Sequence, residues 1–288
     1  MISQILISAL TLGAVYALIA IGFTVVFATK RIINFAHGEF VMLGGVLSVY
    51  YSQSLGLPLA LAVPVAIASV AIAALVIYFL ALDQPASTPI SQVMITLGLA
   101  IAIKGAVQIT IGKGTLFLPT FTAAAHWSAF GVFINPQAIW VFGALAALVG
   151  ALTIALKTTW LGLSMRAVAL DPYAATLMGV TPRRVAAAAF VIAGVFGGAA
   201  GAFLAPIASA SYDNGLFLGL KGFAAAILGG IGSPVGAVIG GVLLGLTEAI
   251  SAGYISSSYK DAITFGVLFL VLMFFPQGLL GGRTLQKL

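Results

Sequence analysis

The sequence has little charge for its length. Only 6% of its 288 residues are Asp, Glu, Lys or Arg, and 62% are hydrophobic, whereas charged residues make up about 25% of a soluble domain. So few charges cannot cover a soluble surface, and we expect a lipid bilayer to cover most of the chain. The net charge of +6 therefore indicates orientation in a membrane rather than nucleic-acid binding, because membrane proteins concentrate Lys and Arg in cytoplasmic loops.

Groups that usually form catalytic or metal sites are also missing. The chain has no cysteine, which excludes a disulfide framework and a thiolate metal site. It has two histidines, His37 and His126, and we predict no metal site and no catalytic residue. The segment Gly112-Lys113-Gly114-Thr115 resembles the end of a phosphate-binding loop but lacks the first glycine of that motif. We therefore expect no cofactor, no ATP site and no enzymatic activity in this chain.

Acidic residues are scarce in the apolar stretches, where only Glu39 and Glu248 come near the interior of a predicted span. An ion-coupled carrier often has a row of such acids along its pathway. The sequence therefore argues against a secondary carrier, and a transporter of this composition needs an energy source on another subunit.

The apolar stretches predict an all-α polytopic membrane protein with about eight membrane segments, since about 20 residues cross a bilayer. We expect residues 1–288 to form a single transmembrane domain. The first segment has no basic residue before it, and we interpret it as a retained span rather than a cleaved signal. The predicted segments are Ile5–Ala28, about Phe40–Tyr51, Pro58–Leu82, Pro89–Ile111, Ala138–Leu156, Val185–Ile207, Lys221–Ile250 and Asp261–Phe275.

The second predicted segment is too short to cross a bilayer unless the polar joint before it, Ile33–Glu39, also enters the membrane. The joint carries Asn34, His37 and Glu39. These three side chains either line a translocation path or cap a broken second span.

The seventh predicted segment is interrupted by Gly229–Pro234 and is either a deep, re-entrant hairpin or one kinked span. Irregular backbone at membrane depth is tolerated where it is buried in protein or lines a cavity, and broken helices often mark transport pathways. We favour the hairpin and name Gly230, Gly232 and Ser233 in its turn as candidate path residues.

Basic residues orient the chain if the N-terminus is placed outside, because cytoplasmic loops are enriched in Lys and Arg. The basic residues that then lie in the cytoplasm are Lys30, Arg31, Lys157, Arg166, Arg183, Arg184, Arg283 and Lys287. Those that lie outside are Lys113, Lys221 and Lys260, and Lys104 lies inside a span near its outer end. This bias predicts that residues 157–184 and the C-terminus are both cytoplasmic.

The longest polar interruption, residues 157–184, contains residues typical of the start and the end of a short helix between two spans. Asp171 followed by Pro172 is typical of an N-cap and first helical position, and Gly179 of a helix end about two turns later. Thr181 and Pro182 then begin the next helix. A capped helix on a basic face is suited to docking into a groove of a soluble partner.

Glycines recur four residues apart in the sixth and seventh predicted segments. Such spacing lets helix backbones approach closely in lipid, and we expect it to mark core packing rather than a seam with a partner subunit. The pairs are Gly194 and Gly198, Gly197 and Gly201, Gly236 and Gly240, and Gly241 and Gly245.

Several motifs along the chain resemble the pattern of bacterial branched-chain amino acid ABC transporter permeases of the LivH type. The first, Ile33-Asn34-Phe35-Ala36-His37-Gly38-Glu39, resembles the signature that follows their first span. The others occur in the expected order and are Arg166–Ala169 with Asp171-Pro172 and Ala174-Ala175, then Met178–Val180, Lys221–Ser233 and Pro276–Leu279. Urea-type permeases share much of this pattern, and the substrate therefore stays open between branched-chain amino acids and urea or short amides.

The resemblance implies the permease subunit of an ABC importer with a type II-like architecture in the bacterial inner membrane. It implies two cytoplasmic ATPase subunits that hydrolyse ATP, a second homologous permease and a periplasmic substrate-binding protein, with no nucleic-acid partner. It further implies that residues 166–180 form the coupling helix. The residues that it assigns to coupling are Arg166, Asp171, Pro172, Ala174, Ala175 and Gly179. An ion-coupled carrier and a structural or channel-forming membrane protein are the alternatives.

Overall fold

The computed structural model describes residues 2–83, 88–122, 127–129 and 132–280, so that His126, Arg283 and Lys287 lie outside the described residues. The described chain is mostly helical. Its α-helices are α1 Ile2–Lys30, α2 His37–Val49, α3 Leu59–Ile77, α4 Pro89–Thr110, α5 Pro136–Thr158, α6 Trp160–Leu170, α7 Pro172–Leu177, α8 Pro182–Ala208, α9 Asn214–Gly229, α10 Pro234–Ile250 and α11 Lys260–Phe274. Single π-helical turns extend α2, α3 and α10 to Ser54, Leu82 and Ile255.

Six helices in the described part are long and apolar enough to cross a membrane, namely α1, α3, α4, α5, α8 and α10. The expectation of a helical, multi-pass membrane protein is therefore confirmed. The prediction of about eight segments is not tested by length and composition, because α2, α9 and α11 are shorter than a full span.

The all-α prediction needs one correction, in the predicted loop between α4 and α5. Strands β1 Trp127–Ala129 and β2 Val132–Ile134 pair antiparallel there. In the same loop, Leu116 forms a bridge with Ala210, just beyond the end of α8. These short backbone pairings tie the loop to the protein without adding a structural layer.

Helices α1 and α8 form the centre of the bundle. In their most apolar windows 67% and 72% of residues are buried, against 11% for α4 and α5. The stretch from Ala14 to Ile21 of α1 is buried on every side, as expected for a helix that is hydrophobic all round. Helix α1 packs against α8, α9 and α10, while α8 also packs against α2 and α3. The shorter helices are therefore held by a buried pair of long ones.

One end of the bundle gathers most of the described basic residues, and we call it the basic end. Lys30 donates to the Leu82 carbonyl at 3.2 Å, Arg31 to the Ala169 carbonyl at 3.3 Å, and Arg183 pairs with Asp83. The C-terminal segment reaches the same end, because Leu279 and Leu280 donate backbone N–H groups to Leu228 and Gly229 at the end of α9. The expectation that residues 157–184 and the C-terminal region share one side agrees with this geometry.

Helices α9 and α10 form the hairpin that the sequence predicted, rather than one kinked span. The turn contains Gly230 and Gly232, whose φ angles of 101° and 100° favour glycine. Ser233 then caps α10 by accepting a hydrogen bond from the Gly236 N–H at 3.1 Å. The turn lies at the basic end, because Gly232 and Pro234 line one cavity together with Arg166 and Ala169 of α6. Helix α9 begins at Asn214, before the predicted start of the seventh segment at Lys221.

All four predicted glycine pairs lie in the core of the subunit. A Cβ added at Gly201 would overlap the Val41 carbonyl of α2, and one at Gly240 would overlap the Ala225 carbonyl of α9. A Cβ at Gly245 would lie 2.5 Å from the Gly13 nitrogen of α1. The glycines therefore bring α8 against α2 and α10 against α1 and α9, as core packing requires.

Candidate functional site

Residues 157–184 contain two consecutive helices, α6 and α7, where the sequence predicted one. The Thr159 hydroxyl accepts a hydrogen bond from Gly162 N–H at 3.4 Å and caps α6. The Asp171 carboxylate accepts from the N–H groups of Tyr173 and Ala174 at 2.9 and 3.1 Å. The predicted cap of the short helix is thus present, and its charge complements the positive end of the helix dipole.

Helix α7 also ends as the sequence predicted. Gly179 has φ 84°, a conformation that glycine adopts at helix ends, and Pro182 begins α8. Three of the residues assigned to coupling, Pro172, Ala174 and Gly179, are exposed. Arg166 is also exposed but lies on α6 and not on the short helix, which corrects the expectation of one coupling helix spanning residues 166–180.

Ala175 does not lie on a docking face. Only 4% of it is exposed, and it belongs to the main buried cluster with Val168 of α6 and Val185 of α8. In this conformation Ala175 is therefore not available for direct contact with a coupling partner. Its small side chain instead lets α7 pack closely onto the permease.

The exposed face of these helices is apolar and large. Four side chains on or beside α7 are between 72% and 88% exposed, and we call them the α6–α7 patch: Leu170, Tyr173, Leu177 and Met178. They lie at the basic end, where Arg31 contacts Ala169. A cluster of large apolar side chains on a polar face of a protein marks an interaction site.

Helix α2 begins about halfway along α1, as expected if the joint before it enters the membrane. His37 Nε2 lies 3.0 Å from the Ile19 carbonyl, about 11 residues before the end of α1, or roughly 16 Å along a helix. A Cβ at Gly22 would overlap the His37 ring. The second segment therefore starts inside the protein, which explains its short apolar length.

Asn34 and His37 support this joint instead of facing an open path. Asn34 Oδ1 accepts from Ala36 N–H at 3.1 Å, and the Asn34 carbonyl accepts from His37 N–H at 3.1 Å. Asn34 is 2% exposed and His37 is 1% exposed. This geometry favours a structural role at the start of the broken span, because both side chains are buried in this conformation. The Asn34 side chain stabilises the turn before α2, although no side chain caps the helix itself.

Glu39 has a buried polar atom, Oε2, without a hydrogen-bond partner within the described residues, as do Asn34 at Nδ2 and His37 at Nδ1. It packs against the start of α9, where a Cβ on Gly215 would lie 2.5 Å from Glu39 Oε2. Lys104 is close enough to interact with Glu39 electrostatically and lies 5.4 Å from the centre of the Tyr212 ring. Lys104 therefore faces protein groups. Glu39 stays a candidate path residue.

A buried network of charges near the other end of α10 was missed by the sequence analysis. Lys221 Nζ lies 2.7 Å from Glu248 Oε1 and 2.8 Å from Asp261 Oδ1, and Lys260 Nζ lies 3.2 Å from the same Glu248 oxygen. The Tyr16 hydroxyl donates to Glu248 Oε2 at 2.6 Å. The sequence placed Lys221 on the outer side, as the first residue of the seventh predicted segment, whereas it lies within α9 with only 11% of its side chain exposed.

The remaining candidate is a cavity of about 250 Å³ at the basic end. It lies between α1, the end of α5, α6 and the α9–α10 turn, and we call it the inner cavity. Its lining residues are Thr24, Val25, Ala28, Thr29, Leu156, Met165, Arg166, Ala169, Gly232 and Pro234. Two predicted site residues, Arg166 and Gly232, thus meet there. Within the described residues no group of His, Cys, Asp and Glu is arranged to hold a metal ion.

Comparison with known proteins gives a consistent relationship over the whole chain. The family model of the branched-chain amino acid transport system / permease component matches residues 5–272. The chain is 36% identical to the high-affinity branched-chain amino acid transport system permease protein LivH of Escherichia coli strain K12, over 99% of this chain and 97% of LivH. It is 26% identical to the permease protein LivM of the same strain, over 97% of this chain and 71% of LivM.

The fold also has a solved relative. The structure of PsaBC from Streptococcus pneumoniae in complex with Fab superposes with a TM-score of 0.52 at 11% identity, over 94% of this chain and 90% of that chain. At this identity the likeness concerns the fold alone. Because the family model covers nearly the whole chain and LivH matches it from end to end, this chain belongs to the family of permease components of branched-chain amino acid transport systems.

Proposed function

We propose that this chain is a transmembrane permease subunit of an ATP-driven importer of branched-chain, hydrophobic amino acids in the bacterial inner membrane. In this proposal two cytoplasmic ATPase subunits hydrolyse the ATP, and the permease has neither a cofactor nor a catalytic site. A second homologous permease completes the pore, and a periplasmic binding protein delivers the substrate. The similarity of this chain to both LivH and LivM supports a pore made of two related subunits with a type II-like architecture and about eight membrane segments in each.

The α6–α7 patch is the observation that carries the proposal. Leu170 and Met178 are 88% and 85% exposed at an end of the bundle that is rich in basic residues and therefore belongs in the cytoplasm. Lipid does not cover that region, and an apolar cluster there needs a protein partner. A short helix that presents apolar side chains fits a groove on a soluble subunit, as an ATPase would provide.

Consecutive helices and one hydrogen bond connect the α6–α7 patch to α1 and α8 at the centre of the bundle. Asp171 both ends α6 and caps α7, and α8 begins after the turn at Gly179. Arg31 donates to the Ala169 carbonyl and connects α6 to the end of α1. Closure of the ATPases would therefore move α6 and α7 as a unit and tilt α1 and α8, which is the change in conformation that alternating access requires.

The test introduces charge at two exposed positions of the α6–α7 patch and leaves the buried residues unchanged. Leu177→Asp and Met178→Asp should leave membrane levels of the permease normal, because both side chains point away from the protein. They should abolish co-purification of the ATPase subunits and uptake of labelled leucine. Leu55→Asp is a matched control, since Leu55 is 55% exposed and follows the α2 extension at the opposite end. It should retain the ATPases.

Three results would overturn the proposal. The first is full ATPase capture and transport by the double Leu177→Asp/Met178→Asp variant, since the patch would then have no role in docking. The second concerns the substrate: uptake of labelled urea but not of leucine, with the binding protein supplied, would assign the chain to the urea-type branch. The third is uptake that persists without any ATPase, which would indicate a secondary carrier.

A further inference from the structure

Two partly exposed charges of the buried network lie at membrane depth. The Asp261 side chain is 50% exposed and that of Lys260 is 38% exposed. Lys260 reaches the Glu248 carboxylate, which also accepts from the Tyr16 hydroxyl. Tyr16 lies about 14 residues before the end of α1 at Lys30, or roughly 21 Å along the helix. Because the basic end marks the inner interface and the hydrocarbon core is about 30 Å thick, these charges lie within the membrane.

The starts of α9 and α11 give a second reason why this region does not face lipid. Helix α9 begins beside Gly38, where a Cβ would overlap the Gly215 carbonyl, and Gly38 follows the residue that contacts α1 halfway along its length. Neither α9 nor α11 has a side-chain cap in the described part of the chain. The first N–H groups of a helix need partners outside the helix, and lipid offers none. Charged side chains at this depth likewise face protein or water.

Exposed aromatic side chains surround these charges. Phe217 lies one helical turn before Lys221 on the same side of α9, and Lys221 pairs with Asp261 of α11. Phe265 and Phe269 follow Asp261 at steps of four residues along α11. The three phenylalanines are between 36% and 70% exposed, and aromatic residues are enriched in protein interfaces. We call these residues the α9–α11 face: Phe217, Lys260, Asp261, Phe265 and Phe269.

Helix α3 shows what a lipid-facing surface of this subunit looks like. Its sequence contains no charged residue. Leu61, Val65, Ile72 and Val76 on its outer side are between 42% and 62% exposed, and side chains of this kind suit lipid. The α9–α11 face is as exposed as α3 but carries charges and uncapped helix starts, so that it needs a different covering.

We propose that the α9–α11 face is the surface on which this subunit contacts the second permease, at the edge of the shared pore. The phenylalanines pack against the partner, while Asp261 and Lys260 face its polar groups or the water of the path. Adjacent charges of opposite sign suit a contact between two related subunits, because a two-fold arrangement places the same surface of each against the other. The similarity of this chain to both LivH and LivM favours a second, related permease over a second copy of this chain.

This inference rests on the proposed function and adds to it the surface that joins the two permeases. The experiment uses the complete complex of this chain, the second permease and the ATPases in membranes. Benzoylphenylalanine, a photoreactive analogue of phenylalanine, takes the place of Phe217, Phe265 or, as the control, Ile72, with one position changed in each variant. After irradiation, the variants at Phe217 and Phe265 are expected to crosslink to the second permease, and the variant at Ile72 is not. Different epitope tags on the two permeases identify the product.

A double alanine variant tests whether the same side chains hold the subunits together. Truncation of aromatic residues at the centre of an interface weakens binding by roughly tenfold or more. Phe217→Ala/Phe265→Ala should therefore lose the second permease during purification, although its membrane levels should be normal because both side chains are exposed. Ile72→Ala, at an equally exposed position of α3, is the control and should retain the second permease.

Three outcomes would overturn the inference. Crosslinks to the second permease from Ile72 but from neither phenylalanine would place the interface on α3, while transport of leucine by the same complex would leave the proposed function intact. Crosslinks that join only two copies of this chain would replace the second permease by a second copy. Retention of the second permease by the double alanine variant, with no crosslink from either phenylalanine, would assign the face to lipid. A complex that transports leucine without any second permease would instead contradict the proposed function itself.

Discussion

Replacing Lys221 by methionine tests whether the buried charge network holds the hairpin in place. The Lys221 ammonium connects α9 to Glu248 of α10 and to Asp261 of α11, at 2.7 and 2.8 Å. Methionine keeps most of the length and the apolar part of the side chain but removes the charge. Glu248, whose side chain is only 3% exposed, would then keep only the Tyr16 hydroxyl and the more distant Lys260 ammonium.

The expected loss of stability follows from the Glu248 carboxylate that stays buried after Lys221 is replaced. Removing one partner of a buried ion pair destabilises a protein by about 3–5 kcal/mol, because the other charge stays buried without compensation. Lys260 remains 3.2 Å from the same oxygen, and Asp261 is half exposed and can be hydrated, so that the lower end of the range applies. A loss of about 3 kcal/mol changes the folded-to-unfolded ratio by roughly a hundredfold.

The double variant Lys221→Met/Glu248→Met separates charge from packing. Apolar replacement of a whole buried ion pair is often neutral or stabilising, and we expect the double variant to recover most of the loss. The assay is thermal unfolding of the purified permease in nanodiscs, where a loss of about 3 kcal/mol lowers the midpoint by roughly 6 °C for a chain of this size. Lys113→Met, at an exposed loop position, serves as the control. If the single and double variants unfold at the same temperature, an uncompensated buried charge is not the cause.

Three further predictions concern α7 and the glycine packing. Asp171→Ala removes a helix cap that stabilises α7 by about 1 kcal/mol, which is small compared with the stability of the whole bundle. We therefore expect normal membrane levels of the permease but weaker substrate-stimulated ATP hydrolysis. Unchanged hydrolysis would show that the cap is not needed for coupling. Ala175→Trp should reduce folded protein, because this position is buried between α7 and α8, and normal thermal stability would contradict that assignment. Gly201→Leu should prevent folding, because a Cβ there would lie 2.8 Å from the Gly45 nitrogen and would also overlap Val41. Gly105→Leu on α4 is the control, since a Cβ there has no neighbouring atom within 4 Å, and it should express normally.

Features that depend on a few neighbouring residues could be predicted from the sequence. The cap at Asp171 needs only the two N–H groups that follow it, and the turn after Gly229 needs only residues that tolerate positive φ and start a helix. The glycine pairs also give a local signal, because four-residue spacing places both glycines on one face of a helix. These features fix the broken hairpin and the short helix α7.

Features that depend on distant contacts could not be predicted. The orientation of Ala175 depends on how α7 packs against α8, and the sequence of α7 alone does not determine it. Lys221 was placed on the outer side at the start of the seventh predicted segment, whereas in the structure Glu248 on the returning helix and Tyr16, 205 positions earlier in the chain, compensate its charge within the bundle. One available signal was that Lys221 and Glu248 are isolated opposite charges on the two arms of a predicted hairpin.

Helix α1 connects every candidate site in this subunit. Tyr16 belongs to the charge network, the Ile19 carbonyl holds His37 of the joint, Thr24 lines the inner cavity, and Arg31 bonds the Ala169 carbonyl of α6. Because close-packed interiors transmit displacement instead of absorbing it, α1 cannot shift at its basic end without moving the joint and the α9–α10 hairpin. The hydrogen bond from Arg31 to the Ala169 carbonyl therefore connects the helices that would meet the ATPases to a helix that contacts the broken span, the hairpin and the inner cavity.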